Sequence, residues 1–391
     1  MIQREAEEKL RVLANGFPAV SVTGPRQSGK TTLVRAVFPE LPYVLLEDPD
    51  TRAYAKEDPR SFLKQYEKSG AIIDEVQNVP ELFSYLQGFL DTAPKAGKFI
   101  LTGSQNFMLS EKIAQSLAGR VGILTLLPLS ITEIKTAGLA HATYEDYLFT
   151  GFFPRIYDST IDPRDYYASY IQTYIERDVR QMKQIKDLFV FQDFLKMCAY
   201  RNGQVINFSS LAQDCGITDK TAKEWLSLLQ ASYIIILTRA HHKNFNKRLT
   251  KMPKLSFTDP GLAAHLAGIQ NPEQIAYHPL KGGLFESMII SELVKYRFNR
   301  GLQNNIYYWR DKAGHEIDCI IDTGMNNPVP VEIKAGRTVR NDYFKHIAYW
   351  NNLSGNPPER SFVVYGGDTP QNRAAGRVIP FDHLDPVMEY L

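Results

Sequence analysis

The feature that most constrains the fold is a glycine-rich segment between two apolar runs. Residues 24–32 read Gly-Pro-Arg-Gln-Ser-Gly-Lys-Thr-Thr and satisfy the pattern G-x-x-x-x-G-K-[ST] at every fixed position. The preceding run, 19–22, predicts a buried strand, and the following run, 33–38, predicts a helix. In this order a glycine loop wraps phosphate with backbone N–H groups, and the helix N-terminus adds a favourable dipole. The sequence therefore predicts a nucleotide site formed by Gly24, Pro25, Arg26, Gln27, Ser28, Gly29, Lys30, Thr31 and Thr32.

An acidic pair supplies the second part of the predicted site. The apolar run 71–73 predicts a strand that ends at Asp74 and Glu75. We expect Lys30 to reach the β- and γ-phosphates of ATP, and Thr31 and Asp74 to hold Mg²⁺. Glu75 is expected to orient and polarise the attacking water. The alternative is an exposed acidic pair that caps the following helix.

Two other side chains are candidates for catalysis. Ser104 follows a predicted strand, 98–101, where a small polar group can sense the γ-phosphate or the water. Gln105 and Asn106 are equally able chemically, and a strand-ending turn is the alternative. Arg120 precedes another predicted strand, 121–126, and is a candidate arginine finger in the same chain or a neighbouring one. Its alternative is a surface arginine.

The middle of the chain predicts a helical connector followed by a helix-turn-helix. Residues 207–217 and 219–229 predict two helices, and 233–237 and 254–257 predict two strands that pair as a wing. Between Arg239 and Thr258 there are six positive residues and no acidic one, an excess that suits DNA phosphates. The alternatives are a solvated wing or a lid that contacts nucleotide or protein. The positive residues are Arg239, Lys243, Lys247, Arg248, Lys251 and Lys254.

The last segment predicts the order helix, three strands, helix, strand. Asp318 and Glu332 lie about one hairpin apart, and Glu332 and Lys334 share a strand face because residues two apart point the same way. Two carboxylates can hold Mg²⁺, and a neighbouring lysine can position the water that attacks a phosphodiester. Glu286, on the preceding helix, would complete the metal shell. The alternatives are a fold kept without catalysis, or a Glu332–Lys334 ion pair on a strand surface.

Several motifs resemble one family. GPRQSGKTTL, AIIDEVQ, ILTGSQ and SLAGR, followed by LPLSITE, resemble the N-terminal module of prokaryotic AAA+-like ATPases that carry a C-terminal domain of unknown function. The resemblance covers nearly the whole chain. It implies a doubly wound parallel sheet with nucleotide at the loop after the first strand. The last segment resembles the PD-(D/E)xK nuclease superfamily, with Ile317 in place of the usual proline.

These features predict an α/β multidomain chain. Its 391 residues suggest two or three domains. We expect a P-loop ATPase domain with a doubly wound parallel sheet over 1–150 and a helical connector over 151–190. A winged helix is expected over 191–265, and an αβββαβ nuclease-like domain over 266–391. The net charge of +2 excludes a histone-like tail or an acidic disordered chain. Three dispersed cysteines, a charged N-terminus and the lack of a long apolar run predict a cytoplasmic protein without a membrane segment.

Three functions are compatible with this organisation. The first is an ATPase, with ATP and Mg²⁺ as cofactors, whose hydrolysis repositions a winged helix and a nuclease-like domain on DNA. The second is a nucleotide-dependent switch or scaffold that binds protein partners, with an idle nuclease-like domain. The third is a nuclease that the ATPase gates. AAA+-like modules often assemble side by side, which leaves an oligomer open.

Overall fold

The computed structural model describes residues 2–92, 99–103, 117–179, 185, 187–241, 252–324 and 327–391. These residues form two compact units. The N-terminal unit comprises Met1–Leu129, Ala231–Tyr233 and Phe298–Leu302, and the C-terminal unit comprises the rest of the chain.

A parallel sheet forms the centre of the N-terminal unit. Its strands lie in the order β2-β3-β4-β1-β5, and every neighbouring pair is parallel. The central strands are continuous apolar runs because both faces of the sheet are covered. The predicted parallel sheet is confirmed. The strands are β1 (Ala19–Thr23), β2 (Tyr43–Leu45), β3 (Ala71–Asp74), β4 (Phe99–Gly103) and β5 (Val121–Thr125).

Helices cover the two faces of this sheet. Alternate strand residues such as Val20 and Val22 share one apolar cluster with the first two helices, whereas Ala19 and Ile73 share another with the next three. Because parallel strands end at the same edge, the loop after β1 and the acidic residues after β3 meet there. The helices are Ala6–Gly16, Lys30–Val37, Pro49–Glu57, Pro59–Lys64 and Leu82–Thr92, with a 3₁₀ turn at Val76–Asn78.

The described residues of the C-terminal unit form two sheets. A small antiparallel sheet has the order β6-β8-β7, and a larger mixed sheet has the order β13-β14-β12-β11-β10-β9. The strands predicted over 233–237 and 254–257 correspond to β7 and β8, which pair antiparallel. The small sheet consists of β6 (Gln204–Val205), β7 (Ile235–Thr238) and β8 (Lys254–Phe257). The large sheet consists of β9 (Ile306–Arg310), β10 (Glu316–Ile321), β11 (Val329–Lys334), β12 (Phe362–Tyr365), β13 (Gln371–Arg373) and β14 (Gly376–Pro380).

Several helices after Leu129 begin at side-chain caps that the sequence supplies. Ser130 and Glu133 form a reciprocal capping box, and Thr218 accepts the N–H of Thr221 at the second helix of the helix-turn-helix. The helices are Ile131–Thr136, Tyr144–Thr150, Pro154–Asp158, Pro163–Tyr170, the π-helical Ile171–Val179, Leu188–Tyr200, Phe208–Asp214, Asp219–Ala231, Pro260–Leu266, Pro272–Ile275, Lys281–Asn299, Lys345–Ser354 and Asp385–Met388. Two 3₁₀ turns cover Asn341–Phe344 and Pro358–Arg360.

The unit boundary differs from the expected domain boundary at residue 150. The first unit ends at Leu129, because the next helix is tied to later residues of the chain. The N–H of Ile131 donates to the Glu292 carboxylate at 2.8 Å, a bond across 161 residues that no local sequence signal marks. Apart from Ala231–Tyr233 and Phe298–Leu302, which belong to the N-terminal unit, the segments expected as connector, winged helix and nuclease-like domain fall within one compact unit.

Two adjacent glycines at the start of the helix Lys281–Asn299 provide a test of this packing. A Cβ at Gly283 would lie 2.2 Å from the carbonyl oxygen of Asn202, whereas a Cβ at Gly282 would meet nothing within 4 Å. We expect Gly282→Ala to stabilise the chain by up to about 1 kcal/mol through helix propensity. Gly283→Ala should destabilise it by about 1–3 kcal/mol through backbone crowding. Thermal unfolding of the full chain measures both, and equal stabilisation by the two variants would contradict the packing.

Candidate functional site

The loop between β1 and the helix Lys30–Val37, here called the phosphate loop (24–29), has a backbone that requires glycine at two positions. Gly24 has φ +147°, and a Cβ there would lie 2.1 Å from the carbonyl oxygen of Leu126. Gly29, at the N-cap of the helix, has φ +91°. Both are fixed glycines of the sequence pattern. The loop therefore takes a conformation that side chains would block.

The lysine that follows the phosphate loop is buried. Lys30 is 6% exposed, and its Nζ donates to the carbonyl oxygens of Pro25 at 2.8 Å and Gly24 at 3.1 Å. Burial lowers the pKa of Lys30 to about 8, against the opposing effect of the nearby carboxylates of Glu75 and Asp74. The hydroxyl of Ser28 is buried without a hydrogen-bond partner among the described residues. An ammonium and an unsatisfied hydroxyl at a helix N-terminus fit a phosphate group.

Arg4 binds the backbone of the phosphate loop through its guanidinium. Its guanidinium donates to the carbonyl oxygens of Ser28 and Leu127, each at 2.7 Å. The side chain is 7% exposed, so these charge-assisted bonds lie away from water. Sequence reasoning missed this residue, because nothing in its local context relates it to a loop more than twenty positions later.

Asp74 connects the phosphate loop to two neighbouring strands. One carboxylate oxygen accepts from the Thr31 hydroxyl at 2.8 Å and from the Tyr43 hydroxyl at 2.7 Å. The other accepts from the Thr102 hydroxyl and from the Glu75 N–H, the latter at 3.0 Å. The structure thus brings Thr31 and Asp74 together. A hydroxyl and a carboxylate oxygen side by side are hard donors of the kind that Mg²⁺ takes, so this pair fits the expected ion.

Glu75 has an unusual backbone. Its φ of +55° lies in the left-handed region, which residues other than glycine rarely adopt. A backbone in this region costs on the order of 1 kcal/mol of conformational free energy. The amide of the buried Gln77 donates to the Glu75 carboxylate. The strained backbone and the amide together fix the direction of this carboxylate at the strand end. Gln77, Tyr43 and Thr102 are site residues for which sequence reasoning assigned no role.

The structure treats the two remaining catalytic candidates differently. Ser104, with Gln105 and Asn106, lies outside the described residues. Arg120 precedes β5, whose first residue pairs with the first residue of β1, so it lies about 16 Å of strand away from the edge that carries the phosphate loop. Its guanidinium instead binds Asp91 at 2.5 and 3.1 Å. The prediction of an arginine finger within the same chain is wrong, because the strand direction places Arg120 at the opposite edge. A role toward a neighbouring chain stays a prediction.

A second cluster of charged side chains lies at the large sheet of the C-terminal unit. We call it the acidic cluster and define it as Glu286, Glu316, Asp318 and Glu332 with their lysine partners. On the β10–β11 hairpin, Lys334 binds Asp318 at 2.9 Å and also contacts Glu332. The N–H of Ile333 donates to the same Asp318 oxygen at 2.8 Å. The expected approach of Asp318, Glu332 and Lys334 is therefore present.

Lys254 joins Glu286 to this hairpin. Its Nζ lies 2.7 Å from Glu286, 2.7 Å from Glu316 and 3.5 Å from Asp318, and its side chain is 4% exposed. Lys254 was expected in the basic surface of the wing, and that prediction is wrong because the side chain is buried among carboxylates. The neighbouring positive residues Lys243, Lys247, Arg248 and Lys251 lie outside the described residues.

The acidic cluster does not fit the predicted divalent ion in this conformation. Within the described ranges, no group of three or more His, Cys, Asp or Glu side chains is arranged to hold a metal. Burial lowers the pKa of Lys254, but the surrounding carboxylates outweigh it and raise that pKa, so the ammonium stays charged. Burial raises the pKa of Asp318, but Lys334 and Lys254 outweigh it and lower that pKa. Ammonium groups therefore occupy the carboxylate oxygens that the metal prediction assigned to Mg²⁺.

Three families match successive parts of the chain. Residues 16–135 match the family described as "AAA domain". Residues 141–273 and 281–384 match two families described as "Domain of unknown function", DUF8612 and DUF4143. The AAA match and the geometry of the phosphate loop agree on a P-loop ATPase fold in the N-terminal unit, which supports ATP binding and hydrolysis.

Similar proteins extend over most of the chain. Uncharacterized proteins Mb2031c of Mycobacterium bovis and Rv2008c of Mycobacterium tuberculosis are each 28% identical over 338 residues, covering 86% of this chain and 74% of theirs. A Walker-type ATPase of Pyrococcus abyssi covers 68% of this chain and 96% of its own, with 17% identity and a TM-score of 0.46. A DNA replication initiation factor gives 16% identity and a TM-score of 0.30, covering 57% of this chain and 85% of its own.

In the described part of the chain, every helix is too short or too polar to cross a bilayer.

The lowered pKa of Lys30 predicts a pH dependence of nucleotide binding. In the nucleotide-free protein Lys30 is charged below about pH 8 and loses its proton above it, so binding at higher pH must take up a proton. We expect the affinity for ATP to fall by up to about tenfold per pH unit above pH 8. Calorimetry in two buffers at pH 7 and pH 9 measures the proton uptake. Lys30→Arg, which stays charged, is the matched control and should show no such dependence, whereas a pH-independent wild-type affinity would contradict the assignment.

Proposed function

We propose that the N-terminal unit hydrolyses ATP in a Mg²⁺-dependent reaction and that the chain works as a nucleotide-dependent switch. The observation that carries this proposal is the meeting of Thr31 and Asp74 directly beside a glycine-shaped phosphate loop. A coincidental glycine turn would not require a hydroxyl–carboxylate pair at the same sheet edge.

Each residue of the site has a chemical role in the proposal. The phosphate loop binds the β- and γ-phosphates through backbone N–H groups, and Lys30 neutralises charge that develops on the leaving oxygen. Thr31 and Asp74 hold Mg²⁺, which supplies further charge neutralisation when bound. Glu75 accepts a proton from water as the water oxygen bonds to the γ-phosphorus. The bond from that phosphorus to the β–γ bridging oxygen breaks, which gives ADP and phosphate.

The positions of Gln77 and Thr102 support the proposed roles. Gln77 orients the Glu75 carboxylate through an amide, and Thr102 orients the Asp74 carboxylate through a hydroxyl. Both carboxylates are thereby fixed before the nucleotide binds. Pre-organised groups of this kind need no rearrangement at the moment of reaction.

Replacing the proposed base separates binding from hydrolysis. We expect Glu75→Gln to bind ATP like the wild type and to lose about 10²–10⁴-fold in hydrolysis rate, because the amide cannot accept the proton. Phosphate release measures the rate, and a fluorescent nucleotide measures affinity. The matched control is Glu81→Gln, an exposed glutamate on the same segment, which should change neither. Wild-type turnover by Glu75→Gln would assign the base elsewhere.

For the later part of the chain we propose a winged helix over 191–265 and a nuclease-like domain over 266–391. The order helix, strand, helix, helix, strand, strand supports the winged helix, and the order helix, three strands, helix, strand supports the nuclease-like domain. The burial of Lys254 in the acidic cluster favours an idle nuclease-like domain, as in a switch that binds protein partners.

The idle state makes a prediction about DNA cleavage. We expect wild-type protein with Mg²⁺ to leave branched, single-stranded and duplex DNA intact, because ammonium groups fill the metal positions. Gel analysis after incubation with and without ATP measures this. Cleavage that disappears in Asp318→Ala but persists in Asp368→Ala, an exposed aspartate of the same unit, would establish an active nuclease instead.

The proposed winged helix favours a second candidate function, which is DNA binding without cleavage. Arg239, which directly follows β7, is exposed and could contact DNA phosphates. Fluorescence anisotropy with duplex DNA at low and moderate salt tests this candidate. Salt-sensitive binding that Arg239→Gln weakens would support it, and absence of binding would leave the protein-partner switch.

A further inference from the structure

We propose that Lys254 is a built-in cation that keeps the acidic cluster closed to divalent metal ions, and that removing its charge creates a metal site. The inference deepens the proposed idle nuclease-like domain and rests on it for the interpretation of the fold. It does not depend on ATP hydrolysis, and its test uses nucleotide-free protein.

The contacts of Lys254 are those of a cation in a carboxylate cage. Its ammonium approaches carboxylate oxygens from three different residues, Glu286 and Glu316 at 2.7 Å and Asp318 at 3.5 Å. An ammonium has three N–H donors, so one group serves all three carboxylates. Glu286 lies on the helix Lys281–Asn299, and Glu316 and Asp318 lie on β10. All three contact the same lysine. The carboxylates are therefore collected around a single positive centre.

Lys254 reaches the cluster from a different sheet. It is the first residue of β8, the middle strand of the small sheet, and it pairs there with Val205 of β6 and Thr238 of β7. Its backbone is thus fixed by one sheet, while its ammonium lies among the carboxylates of the other. A shift of β8 relative to the helix Lys281–Asn299 and to β10 would withdraw the cation. The fold in this way ties access to the carboxylates to the position of the small sheet.

One unsatisfied atom indicates that the cluster has capacity beyond its lysines. An oxygen of Glu332 is buried without a hydrogen-bond partner among the described residues, although Glu332 is only 1% exposed. The other Glu332 oxygen contacts Lys334. A buried carboxylate oxygen without a partner is unfavourable, and a further cation ligand would satisfy it. With Lys254 neutralised, Glu286, Glu316 and Asp318, the three carboxylates that it contacts, are the donors that a divalent ion would use.

The competing interpretation is a structural ion-pair network without metal capacity. In that case the carboxylates gather only because the lysines attract them, and loss of Lys254 would leave a destabilised cluster that binds no ion. The two interpretations differ in what a neutral residue at position 254 produces. One predicts a new metal site, and the other predicts only lower stability.

The test is a titration of nucleotide-free, full-length protein with Mn²⁺, with free Mn²⁺ measured by electron paramagnetic resonance. We expect Lys254→Met to bind one more Mn²⁺ per chain than the wild type. The double variant Lys254→Met/Asp318→Asn should lose that ion again. Lys220→Met, which removes an exposed lysine, is the matched control and should bind Mn²⁺ like the wild type. A folded Lys254→Met that binds no additional Mn²⁺ would overturn the inference.

Two further measurements keep the test decisive. If circular dichroism shows that Lys254→Met does not fold, Lys254→Gln replaces it, because glutamine removes the charge and keeps a polar donor. Independently, wild-type protein and Asp318→Asn should bind Mn²⁺ equally, because the inference leaves no metal at Asp318 while Lys254 is in place. Loss of a wild-type Mn²⁺ ion in Asp318→Asn would overturn the inference. Failure of ATP hydrolysis would not affect either result.

Discussion

The N-terminal site depends on the hydrogen bonds that the carboxylate of Asp74 accepts. It accepts hydrogen bonds from Thr31 of the phosphate-loop helix, Tyr43 of β2 and Thr102 of β4, and from the N–H of Glu75. Because three strands and one helix converge on a single acidic group, the phosphate loop and the proposed base are held in a fixed relation before any nucleotide arrives. The cost of burying one carboxylate is offset by four donors, and the result is a pre-organised edge of the sheet.

The C-terminal unit manages buried charge in a different way. Its carboxylates are held by ammonium groups from Lys254 and Lys334, whereas the carboxylate of Asp74 is held by hydroxyls and a backbone N–H. Neutral donors do not neutralise a carboxylate, which can therefore still bind a metal ion. Ammonium groups neutralise the carboxylates that they contact. This contrast is the physical reason why we propose a Mg²⁺-dependent reaction for one unit and an idle cluster for the other.

The sequence predicted the parts of the fold that short segments encode. The phosphate loop, the strand that ends at Asp74, and the β10–β11 hairpin all follow from apolar runs and turn residues within about twenty positions. The roles of Tyr43, Thr102 and Arg4 were not predictable, because they depend on which strands become neighbours. Arg120 and Lys254 were misplaced for the same reason. The direction of the strands determines the edge of the sheet at which Arg120 lies. The packing of the two sheets buries Lys254, although the excess of positive residues around it predicts an exposed wing.

The measurement that tests the central claim most directly is a calorimetric titration of wild-type protein and Asp74→Asn with a non-hydrolysable ATP analogue, with and without Mg²⁺. The account predicts that Mg²⁺ tightens binding to the wild type and that this effect disappears in Asp74→Asn, which still binds the analogue through the phosphate loop. Wild-type binding that is the same with and without Mg²⁺, or no binding at all, would contradict the account.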